Sequence, residues 1–73
     1  MKEYRVQSVT PAGELIKEQT IAARSPEEAG MQLVGAQLFR GQKGFRGTLR
    51  AKVYAPTSGG ELPTLIRLYQ RTD

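Results

Sequence analysis

The chain has 73 residues, with 11 Lys and Arg against 7 Asp and Glu, no His and no Cys, and a formal charge of +4. That length holds one domain, and a chain of this size buries only about 60% of its unfolded surface, so its core is small. Disulfide staples, Cys/His metal sites and the side chains most used as general base or thiol nucleophile near neutral pH are all excluded, and an enzyme is not expected.

Met1-Lys2-Glu3-Tyr4-Arg5 leads straight into alternating polar and apolar residues. No apolar export segment and no membrane-length run follow, so a cytoplasmic protein is the expectation. Tyr4 to Thr10 is rich in β-favouring residues, with Tyr4 and Val6 on one side and Arg5 and Gln7 on the other. Val9 is out of step with Val6, which predicts a bulge or strand end near Ser8. Pro11-Ala12-Gly13 is a turn: proline presets φ and glycine accepts a positive one. Glu14 to Ala23 carries a mixed pattern through which a helix can also be drawn. Its β-branched Thr20-Ile21 and the short preceding turn favour a strand, and hence a hairpin over 3–23.

Ser25-Pro26-Glu27-Glu28 is the strongest local signal. Ser25 can cap the free N–H groups of a first turn, Pro26 suits the first helical position, and Glu28 completes a capping box. Both acids favour the positive end of the helix dipole. The pattern predicts a helix over 26–39, with Ala29, Leu33 and Ala36, flanked by Val34 and Leu38, on its apolar face and Gly41 ending it. Gly30 and Gly35 each cost about 1 kcal/mol relative to alanine there, which reads equally as close approach to a sheet or as plain weak helicity.

Arg40 to Gly47 reads RGQKGFRG, with neither helical nor strand period and three glycines in eight residues, so a loop is predicted over 40–47. Leu49, Ala51, Val53 and Ala55 then alternate with Arg50, Lys52 and Tyr54, a half-buried strand. Residues 56–60 (PTSGG) form a turn. In the last strand Ile66 and Leu68 face inward and Arg67, Tyr69 and Arg71 outward, giving a second hairpin over 48–71. The order β-β-α-β-β predicts an α+β domain, an antiparallel sheet with one helix packed on one face. The other face is left for solvent or a partner.

The charge is uneven. Residues 1–30 hold four basic against five acidic residues; residues 31–60 hold Arg40, Lys43, Arg46, Arg50 and Lys52 and no acid; residues 61–73 balance. Two constellations follow. The loop repeats Phe-Arg-Gly at 39–41 and 45–47, with Lys43 between. Glycine lets the backbone approach a polyanion, and arginine presents a planar fork to phosphate. Phenylalanine can stack on a base, but Phe39 and Phe45 read first as core residues, by roughly two to one, since large aromatics dominate small cores. The outward parity of the last two strands collects Arg50, Lys52 and Tyr54 with Arg67, Tyr69 and Arg71, which Arg5 extends if the first strand is adjacent. Cations track phosphates and tyrosine rings offer stacking surfaces, whereas the plain alternative is a solvated, edge-protecting face.

Glu27 and Glu28 point to different sides of a helix and make a poor acid/base pair, and GQKG lacks the spacing of a nucleotide-binding loop. No cofactor is called for. The expected function is a small basic nucleic-acid-binding protein, for DNA or RNA. Arg40, Lys43, Arg46, Arg50, Lys52, Tyr54, Arg67, Tyr69 and Arg71 would contact the phosphate backbone. The alternative is a protein–protein interaction module or small regulatory or phage accessory protein that docks on an acidic surface. It could also form a homodimer through the open face or an edge strand, with Val9, Ile16 and Leu65 as anchors.

Overall fold

The computed structural model describes residues 1–41, 46–56 and 63–72. Five antiparallel strands and one helix follow in the order β1 (Lys2–Val9), β2 (Leu15–Ala23), α1 (Pro26–Val34), β3 (Phe39–Arg40), β4 (Gly47–Ala55) and β5 (Thr64–Arg71). The strands form a single sheet ordered β2-β1-β4-β5-β3. This is the expected α+β architecture of two hairpins joined by a helix, with the two-residue β3 added at one edge.

The first hairpin is set by its turn. Gly13 N–H donates to Thr10 C=O at 2.8 Å and Thr10 N–H to Glu14 C=O at 2.9 Å, while the Thr10 hydroxyl accepts from Glu14 N–H at 3.1 Å. Gly13 adopts φ +90°, the left-handed conformation that three-residue hairpin loops need at their last position. The expected irregularity near Ser8 is present: Ser8 faces Lys17 but Val9 faces Leu15, which leaves Ile16 as the extra residue. Lys2–Ser8 otherwise pair regularly with Lys17–Ala23, and Val6 meets Val53 where β1 joins β4 at the centre of the sheet.

The helix starts as its sequence dictates, with Pro26 in the first turn and the Ser25 side chain accepting from Glu28 N–H at 3.1 Å. It ends five residues short of the predicted 39. Gly35 takes φ 78°, ψ 21°, and its N–H closes on Met31 C=O at 2.8 Å, so the left-handed C-cap falls at Gly35 and not at Gly41. The freed segment turns back, buries Leu38, and enters the sheet as β3. The predicted loop over 40–47 is corrected with it: Arg40 belongs to β3 and Gly47 to β4. Lys43, Gly44 and Phe45, the turn residues 57–60, and Asp73 lie outside the described residues.

The helix packs across the central strands. Beneath it lie Tyr4, Val6, Ile21, Ala23, Ala51, Val53 and Leu68, joined by Ala29 and Leu38. Gly30 is buried at the closest point of approach, where a Cβ would collide with Leu68 Cδ1 and lie 3.4 Å from Leu38 Cδ1. Close approach to the sheet is thus the compensation for glycine at 30, while Gly35 is explained by its cap. No helix among the described residues is long and apolar enough to cross a membrane.

Candidate nucleic-acid interface

The face away from the helix is defined by the registers. One cross-strand row reads Glu18, Gln7, Lys52, Arg67, and the next Thr20, Arg5, Tyr54, Leu65. A third joins Leu49, Tyr69 and Phe39, and Arg71 follows opposite Gly47. Lys52, Tyr54, Arg67, Tyr69 and Arg71 therefore share one face as expected. Arg5 joins them because β1 is the neighbour of β4.

Lys52 and Arg67 stand directly opposite each other, and neither has a carboxylate partner among the described residues. Like charges in that relation destabilise a strand pair, so this row stores repulsion that an anion would relieve. On either side are the rings. The Arg5 guanidinium lies over Tyr54, 4.5 Å from the ring centroid, and Arg71 lies 6.0 Å from the centroid of Phe39. Tyr69 leans over the backbone at Gly41, where a Cβ would meet its Cε1 at 3.0 Å. Glycine at 41 thus makes room for the Tyr69 ring rather than ending the helix.

The acids of this face sit on the opposite half of the sheet. Glu18 accepts from Gln7 Nε2 at 2.8 Å and lies 4.0 Å from Arg5 Nε, an exposed contact of little energetic weight. A shallow pocket of about 250 Å³ opens between Glu3, Arg5, Thr20, Tyr54, Pro56 and Pro63, so the stacked Arg5–Tyr54 pair forms one of its walls.

Three expectations about the cations and rings are corrected. Arg40, expected as an unneutralised cation of the loop, lies in the edge strand opposite Leu68, and its guanidinium holds Glu27 at 3.2 Å through both Nε and the terminal nitrogen, while the residue lines an edge groove with Arg67 and Tyr69. Arg50 is not in the outward row either. Leu49 faces Tyr69 and Ala51 faces Leu68, so Arg50 is the extra residue of a bulge and its guanidinium donates to the Gln70 side-chain oxygen. The bulge reverses Leu49 as well, from the expected inward side to the open one. The core reading of Phe39 is corrected: it is half-buried beside Tyr69 on the open face and absent from the core cluster. Arg46 is exposed, and its carbonyl accepts from Thr72 N–H at 3.3 Å. Lys43 is outside the described residues.

Of the proposed docking anchors, Val9 is 2% exposed yet stands apart from the main core, and by alternation on β1 it shares the side of Arg5 and Gln7. Leu65 is half-buried opposite Tyr54, and Ile16 is exposed. The Arg5–Tyr54 stack needed the strand order, which no local pattern supplies. Groups of acidic residues able to hold a metal ion are absent among the described residues. Comparison with protein-family models, with characterised proteins and with solved structures finds no match.

Proposed function

We propose that the chain is a small nucleic-acid-binding protein that lays a strand across the open face of its sheet. Lys52, Arg67, Arg71 and Arg5 take the phosphates, and Tyr54 and Tyr69 present ring surfaces to bases. The observation that carries the reading is the unneutralised Lys52–Arg67 row flanked by tyrosines. A flat face of this kind suits unpaired strands, whose bases can splay onto rings and guanidinium planes. The Arg5 plane over Tyr54 offers such a surface beside the pocket. A cytoplasmic location accompanies this reading.

The test is a titration of fluorescent single-stranded RNA, single-stranded DNA and duplex DNA at low and moderate salt. Four phosphate contacts on a single strand give log K falling by ~2.8 per decade of salt, at ~0.7 per contact. Replacing Lys52 and Arg67 by glutamine should lower that slope by ~1.4 and weaken binding to all sequences alike. No binding of any of the three at low salt overturns the reading.

A further inference from the structure

The shallow pocket beside the cationic row differs in wall chemistry from the rest of the face. Arg5 and Tyr54 form a flat stacked wall, and Pro56 and Pro63 add apolar surface. Glu3 and Thr20 bring a carboxylate and a hydroxyl. They flank Arg5, Glu3 two residues back along β1 and Thr20 directly opposite on β2. The volume of about 250 Å³ suits one flat ring system, since drug-sized ligands occupy roughly 300–1,000 Å³. Glu3 is exposed, and its carboxylate has no ion-pair or hydrogen-bond partner among the described residues. Arg5 takes its carboxylate contact from Glu18 instead, at 4.0 Å. An unpaired carboxylate beside a phosphate-binding surface opposes a polyanion, unless the ligand itself carries donors for it.

We infer that this pocket holds a guanine base of the bound strand, an assignment that rests on the nucleic-acid reading above. The base stacks on the Arg5–Tyr54 wall and turns its Watson–Crick edge to Glu3. Guanine places two adjacent donors on that edge, N1–H and the N2 amino group. They match the two oxygens of a carboxylate in a bidentate pair. Cytosine and adenine set one amino donor beside an acceptor nitrogen, and uracil sets its N–H between two carbonyls. Each of these turns an acceptor toward the carboxylate. The Thr20 hydroxyl supplies the donor that guanine O6 requires. Strand geometry connects the pocket to the phosphates. The Arg5–Tyr54 row lies two residues from the Gln7–Lys52 row, or ~6.4–6.8 Å along the strands. A strand with one phosphate on Lys52 and Arg67 therefore brings a neighbouring base to the pocket.

The test uses uridine nonamers with a central guanosine, inosine, adenosine, cytidine or uridine, titrated against the whole chain by fluorescence anisotropy. The guanosine strand should bind about fivefold or more tighter than the adenosine, cytidine and uridine strands, the discrimination of one bidentate pair. Inosine keeps N1–H and O6 but lacks the N2 amino group, and should fall between. Glu3→Gln should erase the guanosine advantage. It should leave the uridine strand bound at least as tightly and its salt slope unchanged, because Glu3 takes no phosphate. The Lys52→Gln/Arg67→Gln variant should weaken all five strands by one factor and keep the preference. Free guanosine monophosphate should compete far more weakly than the guanosine strand, because it brings one phosphate to the face instead of several. Competition of equal strength would mark a mononucleotide site and overturn the strand-borne base. Equal binding of all five strands, or a guanosine preference that survives Glu3→Gln, overturns the pocket assignment and leaves the basic face standing. Failure of every strand to bind overturns the face, and the pocket assignment falls with it.

Discussion

The two faces of the sheet are built from alternate residues of the same strands, yet they obey opposite rules. Under the helix, the packing is tight enough that glycine alone fits at 30, and of the largest fully buried side chains, Leu68, Val6, Val9 and Val53, only Val9 is outside the helix-side cluster. On the other side, two cations are placed opposite each other with no acid among the described residues to separate them. A face selected only for stability would not keep that pair, since a glutamate at either position adds a favourable cross-strand contact. The difference separates what holds the fold from what the fold presents.

Substitutions sharpen that separation. The largest effect belongs to the packed side: Leu68→Ala removes a fully buried side chain and should cost about 2–5 kcal/mol in chemical denaturation. Gly30→Ala should destabilise by about 1–2 kcal/mol net, because overpacking against Leu68 outweighs the roughly 1 kcal/mol gain in helix propensity. A stabilised Gly30→Ala variant would mean that the helix stands off the sheet. Ser25→Ala should cost about 1 kcal/mol by leaving first-turn N–H groups uncapped. The smallest effect carries the contrast furthest. Lys52→Glu should raise stability by about 0.2–1 kcal/mol through pairing with Arg67 while weakening nucleic-acid binding. Loss of stability on that substitution would show that the row is structural after all.

Much of this was readable in the sequence wherever the signal was local. Ser25-Pro26 names the helix start because capping needs only residues within one turn, and Pro11-Ala12-Gly13 names the hairpin for the same reason. Arg67, Tyr69 and Arg71 fall outward because β5 keeps an unbroken alternation. The errors arise where one residue alters the count. Gly35 and Gly41 are both plausible helix stops, and the choice rests on Leu38 reaching the core from the segment leading into β3 rather than from a helix. At Arg50 the alternation from Leu49 to Ala55 is uninterrupted in the sequence. The inserted residue becomes visible only against β5, and it takes Arg50 out of the outward row and brings Leu49 onto the open face. Arg40 illustrates a third limit: its partner Glu27 is 13 positions away and explained already by the dipole.

The junction of β1 with β4 also governs how the molecule is made. Val6 and Val53 come from opposite ends of the chain, and each hairpin has only one apolar side until they meet. A nine-residue helix interrupted by Gly30 is too short to persist alone, so it cannot nucleate assembly. The two hairpins must therefore close their long intervening loop before either is rewarded, an entropic toll that places the rate-limiting encounter at the centre of the sheet. Val6→Ala and Val53→Ala should therefore slow refolding in stopped-flow mixing, while substitutions on the basic face, whose side chains lie outside that junction, should leave the folding rate unchanged.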